Sequence, residues 1–199
     1  GYSVSINKDG NIIATGSVEY PGGRVIAYEH KIPTSTEWST ANVVMKGTDT
    51  SQVTDKLYWT RRGSFLSPTN DKGALCRLNN SGNILAVGDW QLNSRKGHVF
   101  VYEWRTENGT TDWYPLGTNH PVQISNVSTA NYTKICLNDD GTIFCASSST
   151  LKSVKVFQYI NDTWSEIKHF QETSISGFGC YTEINDTGDI IAIGANTAQ

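Results

Sequence analysis

The chain has 199 residues, with 16 Lys and Arg against 19 Asp and Glu and a formal net charge of −3. That balance gives no field able to gather nucleic acid or an anionic membrane surface. Apolar runs of about five residues fall far short of the ~20 that a spanning helix takes, so no nucleic-acid partner and no membrane insertion are expected within this segment. The sequence opens on Gly1 with no Met, basic n-region or apolar h-region, so any signal peptide is expected to have been removed or to lie upstream.

In chain order, one hairpin recurs four times: SVSINKDGNIIATGS, LCRLNNSGNILAVGD, ICLNDDGTIFCASS and YTEINDTGDIIAIGA, anchored on Gly10, Gly82, Gly141 and Gly188. Each copy reads as an alternating strand, an Asn-x-x-Gly turn and a short apolar strand. Gly supplies the positive φ that such a turn requires. The first copy places strands over residues 2–6 and 11–16. A third strand ending on an aromatic residue follows three of the hairpins, over residues 25–28, 99–102 and 154–157. A fourth element then carries Trp38, Trp113 or Trp164. Ile13, Ala14, Leu85, Ala86, Phe144, Cys145, Ile191 and Ala192 stand at equal offsets from the anchor glycines and are expected in the core.

β-branched and aromatic residues dominate these segments and no stretch shows helical periodicity, so the fold class is all-β. The anchor glycines lie 72, 59 and 47 residues apart, bracketing the period of four-stranded propeller blades. A sheet of this size cannot bury both faces alone, so the units must pack on one another. The expectation is a segment of a single β-propeller with about three and a half blades of four antiparallel strands. The blades fall near 1–45, 72–118 and 130–170, with a partial blade over 177–199 and an insertion near 46–70. The chain stops where the next third strand should begin, so a longer protein is expected.

The succession of "DG.ilAvG", "G.V.VY" and "W" resembles the FG-GAP-like repeats of integrin-α-type propellers, in the variant of large extracellular proteins of algae, protists and their viruses. The resemblance implies calcium ligands in an Asp-x-Asp-x-Asp-Gly loop. Here the corresponding positions read Asn7-Lys8-Asp9-Gly10, Asn79-Asn80-Ser81-Gly82, Asn138-Asp139-Asp140-Gly141 and Asn185-Asp186-Thr187-Gly188. None offers the alternating carboxylates needed toward the about six to eight oxygens calcium takes. No metal and no cofactor is therefore expected.

Six N-glycosylation sequons begin at Asn79, Asn108, Asn126, Asn131, Asn161 and Asn185, where roughly three would arise by chance. All fall in expected turns or connections, where an acceptor must sit to be reached. A four-stranded meander puts Asn79, Asn108, Asn161 and Asn185 on one face, with Asn126 and Asn131 opposite. Cys76, Cys136, Cys145 and Cys180 lack the spacing of a zinc site. A two-residue loop on Asp140-Gly141 would set Cys136 directly across from Cys145, at a separation open to a disulfide; buried free thiols are the alternative. The recurring tryptophans suit packing between units, with Trp59 and Trp90 outside the repeat. The histidines at 30, 98, 120 and 169 share no spacing, and no nucleophile elbow, zinc-protease or phosphate-loop motif is present.

The function these features imply is a non-enzymatic extracellular or cell-surface glycoprotein module, structural or adhesive, in an appendage, filament, wall or virion. Its partners would be other protein subunits or extracellular matrix, with covalent N-glycans. A lectin-like propeller is the alternative, and a glycosidase a remoter one, because paired carboxylates are a tertiary fact.

Overall fold

The computed structural model describes residues 2–17, 23–39, 43–44, 57–66, 75–89, 92–128 and 134–196. Its described residues are all-β apart from two short helices, and every strand pairing is antiparallel. The first sheet holds β1 (Ser3–Ile6), β2 (Ile12–Ser17), β3 (Arg24–Lys31), β4 (Val43–Val44) and β5 (Tyr58–Arg61), in the order β1-β2-β3-β5-β4. The helix α1 (Ser35–Ser39) interrupts it. The second holds β6 (Leu75–Leu78), β7 (Ile84–Asp89), β8 (His98–Glu107), β9 (Thr110–Pro115) and β10 (Val122–Gln123), with α2 (Leu92–Arg95) between β7 and β8. The third runs β11 (Lys134–Leu137), β12 (Ile143–Ser148), β13 (Ser153–Ile160), β14 (Thr163–Gln171) in chain order. The fourth is the pair β15 (Phe178–Ile184) and β16 (Ile191–Ala195).

Strands form where β-branched and aromatic residues alternate, and the two faces of each sheet then have different partners. Ile12, Ala14, Val25 and Ala27 of the first sheet pack on Cys76, Leu78, Leu85 and Val87 of the second. The other face of the second, with Ile84, Ala86 and Val101, packs on Phe144, Ala146 and Phe157 of the third. The third sheet in turn sets Ile143, Cys145, Val154 and Val156 against Ile184, Ile191 and Ile193 of the fourth. Counted from each anchor glycine, the same positions meet at every joint. The middle sheets are covered on both faces, so Leu85, Ala86, Phe144 and Cys145 are all buried. In the outer sheets one face is uncovered: Ala14 is buried, Ile13 and Ile191 are half-buried and Ala192 is exposed.

The fourth strand of the first sheet is a correction. Trp38 lies on α1, and the strand that pairs with β3 is β5, which carries Trp59. The matching runs are Trp59-Thr60-Arg61-Arg62-Gly63 and Trp113-Tyr114-Pro115-Leu116-Gly117. Each of the first three sheets then shows a cross-strand aromatic pair in the same place, His30 with Trp59 at 5.1 Å, Trp104 with Trp113 at 5.3 Å and Tyr159 with Trp164 at 5.2 Å between centroids. Part of the segment expected as an insertion at 46–70 is thus sheet: Tyr58–Arg61 is a strand and Leu66 is buried against Val25. Residues 46–56 and 67–70 of that segment lie outside the described residues, as does Trp90.

Candidate functional site: the linked turns and the exposed hairpin tips

The Asn-x-x-Gly turns form a connected structure. In each, the asparagine Oδ1 accepts the backbone N–H of the isoleucine two residues after the glycine, Ile12 donating to Asn7 at 2.8 Å, Ile84 to Asn79 at 2.9 Å, Ile143 to Asn138 at 2.8 Å and Ile190 to Asn185 at 2.9 Å. The next residue joins one sheet to the following one through the backbone. Lys8 N–H donates to Asn80 C=O at 3.1 Å, Asn80 N–H to Asp139 C=O at 3.1 Å and Asp139 N–H to Asp186 C=O at 3.2 Å. The glycine completes the joint by close approach. A Cβ on Gly82 would stand 2.6 Å from Ile12, on Gly141 2.7 Å from Ile84, and on Gly188 2.6 Å from Ile143. These turn residues are occupied in holding sheets together. The Asp139 carboxyl is raised above its ordinary range by local desolvation and by the hydrogen bond and like charge of Asp186.

A second joint recurs beside the fourth strands. Trp113 Nε1–H donates to Arg62 C=O at 3.0 Å, and Trp164 Nε1–H to Leu116 C=O at 2.9 Å. Both indoles are buried, and each donates to the loop after the fourth strand of the preceding sheet. Gly63 and Gly117, at φ of 77° and 98°, pass under Trp113 and Trp164 respectively. These two rings are therefore packing residues, unavailable to stack on a sugar.

The sequons separate by environment. Asn79 is 3% exposed, with Nδ2 donating to Ser81 Oγ at 3.1 Å and Asn83 Oδ1 at 2.9 Å, so a sugar on that nitrogen would displace the turn. Asn185 holds the equivalent turn at the uncovered end, donating from Nδ2 to Thr187 Oγ1 and Asp189 Oδ1. Asn108 and Asn161 are exposed at the tips of the β8–β9 and β13–β14 hairpins. Both have positive φ, 49° and 48°, followed by Gly109 at 78° and Asp162 at 61°. This is the two-residue turn whose twist matches the strands and which asparagine tolerates. Asn126 is exposed, its Oδ1 accepting from Gln123 Nε2 at 2.9 Å. Asn131 lies outside the described residues.

Cys136 and Cys145 do face each other, in the expected register, with Leu137 opposite Phe144. The disulfide reading is corrected: all four cysteines are free thiols. The bond from Asn138 N–H to Ile143 C=O makes that a hydrogen-bonded pair, and Cys136–Cys145 follows two residues on. At such a pair the side chains leave the sheet side by side. The Cys145 thiol is pushed up first by its hydrogen-bonding interaction with Cys136 and then by burial. Two thiols in a closed core have no route to a nucleophile's role.

Of the histidines, His169 Nε2 meets Ser153 Oγ at 2.8 Å at the edge of a cleft of about 280 Å³, where Ser153 itself is only 2% exposed. A cleft of about 360 Å³ lies between the first two sheets, lined by Glu29, Arg62, Ser64, Trp104 and Asp112 among others. Within it Arg62 pairs with Glu29 at 3.0 Å and Lys31 with Glu37 at 2.8 Å, and Asp112 accepts from Ser64 Oγ at 2.6 Å. No protein-family model matches the chain, and no curated protein matches it either.

Proposed function

We propose that the chain is a segment of an FG-GAP-like β-propeller serving as a non-enzymatic, N-glycosylated extracellular module with a structural or adhesive role. The observation that carries this reading is the pairing of Asn108 and Asn161. Two sequons stand at the same hairpin tip of successive sheets, exposed, in a turn where asparagine already suits the backbone. The repeated joints support the propeller part, because identical positions meet identical positions from sheet to sheet. The glycan face narrows relative to the sequence reading. It rests on Asn108 and Asn161, while Asn79 is committed to its turn, and the exposed Asn126 is an acceptor expected on the opposite face. Burial of Trp113 and Trp164 counts against those two rings as sugar-stacking surfaces for the lectin alternative.

The test is expression in a secretory host, with intact mass and peptide mapping before and after enzymatic release of N-glycans. Glycans at Asn108 and Asn161 with bare Asn79 are expected. Bare asparagine at both hairpin tips in secreted material would remove the main support for an extracellular module.

A further inference from the structure

Asn126 differs from the turn asparagines in what its side chain is left free to do. Gln123 is fixed in β10, opposite His98 of β8, and its Nε2–H donates to Asn126 Oδ1 at 2.9 Å. Val127 N–H donates to Ser125 Oγ at 3.0 Å, so the chain just past the strand is held as well. The Asn126 amide is thereby oriented through its oxygen, while Nδ2, the atom that carries a sugar, makes no hydrogen bond among the described residues. Asn79 Nδ2 and Asn185 Nδ2 each donate to two neighbours instead. Asn126 is also part of the wall of the cleft of about 280 Å³ beside His169, together with Val127, Leu151, Lys155 and Gln171 among others. The cleft lies within the chain, between the segment after β10 and the strands β13 and β14 of the third sheet.

We propose that the first N-acetylglucosamine of an N-glycan on Asn126 folds back into this cleft and joins the β10 connection to the third sheet. Docking requires the glycan, and so rests on the glycoprotein reading above. The volume is near the lower end of the about 300–1,000 Å³ of small-molecule clefts, which suits a sugar ring rather than a longer chain. Val127, at 55% exposure, and the half-buried Leu151 give apolar ground for the carbon face of a pyranose. Lys155, His169 and Gln171 add donors and acceptors for its hydroxyl and acetamido groups. The covalent link makes the contact intramolecular, at an effective concentration on the order of millimolar, so weak contacts suffice. Asn108 and Asn161 stand at exposed hairpin tips, where a glycan extends into solvent.

The test treats the folded protein, secreted from a host that adds N-glycans, with a peptide N-glycosidase and follows release at each site through conversion of asparagine to aspartate in peptide maps. Release at Asn126 is expected to be about tenfold slower than at Asn108 and Asn161, because only the undocked fraction is open to the enzyme. After denaturation the difference should vanish. The double variant His169→Ala/Gln171→Ala changes exposed residues of the cleft and leaves the sequon intact, and it should speed release at Asn126 alone. Equal release at the three sites of the folded wild type would overturn the docking and leave the glycoprotein reading standing, as would slow release at Asn126 that the folded double variant retains. A bare Asn126 beside glycosylated Asn108 and Asn161 overturns the docking alone, and bare asparagine at all three sites overturns both.

Discussion

Gly141 lies against Ile84 so closely that a Cβ on the glycine would fall 2.7 Å from the isoleucine Cβ, with φ at +80°. Two costs therefore meet in Gly141→Ala. The left-handed backbone costs about 1–2 kcal/mol for an L-residue, and forcing a methyl into a packed joint costs about 1–3 kcal/mol more. Gly10→Ala is the control, since its φ is +70° but its space is open. Chemical denaturation in dilute solution should show a loss of roughly 2–5 kcal/mol for Gly141→Ala and about 1–2 kcal/mol for Gly10→Ala. Equal losses would mean that the joint is not closed as described.

Stability should fall as the pH drops from about 7 toward 5. Burial pushes His98 down, against the pull of Asp89, and pushes His120 down between Phe100 and Tyr102. Above the ordinary histidine pKa of about 6.5 both states are neutral and no penalty arises. Below it the unfolded chain takes up protons that the folded chain refuses, and stability is lost until the lowered folded values are reached. Thermal melts across this range should show the decline, and His120→Phe should flatten it. A melting temperature independent of pH over that range would contradict the burial of both rings.

Alkylation followed by mass measurement tests the cysteine assignment. Under denaturing, non-reducing conditions all four of Cys76, Cys136, Cys145 and Cys180 should be modified. In the folded protein Cys136 and Cys145 should react far more slowly than Cys180, which is only half-buried. Two cysteines that resist alkylation until reductant is added would restore the disulfide.

What was legible in the sequence is what local chemistry dictates. The Asn-x-x-Gly turn fixes strand register, so the opposition of Cys136 and Cys145 followed from the turn alone, although the bond between them did not. Trp38 stands in about the place of the repeat tryptophan but lies on α1 instead. The correcting signals were present. Thr34-Ser35-Thr36-Glu37 is a capping box, with Thr34 N–H bonded to Glu37 Oε2 at 2.8 Å and Glu37 N–H to Thr34 Oγ1 at 3.3 Å. The Trp-x-x-x-Gly spacing marks Trp59 and Trp113 as the matching pair. The burial of Asn79 was not legible locally, since it depends on the neighbouring sheet.

The central structural claim is that successive turns are bonded to one another and thereby lock the sheets into one stack. Amide hydrogen exchange resolved by residue tests it most directly, because turn amides ordinarily exchange fast. Asn80 and Asp139 should be protected to the level of the buried strands β7 and β12, while Asn108 and Asn161 at the free hairpin tips exchange quickly. Exchange at Asn80 and Asp139 as rapid as at Asn108 and Asn161 would contradict the linked turns and the stacking built on them.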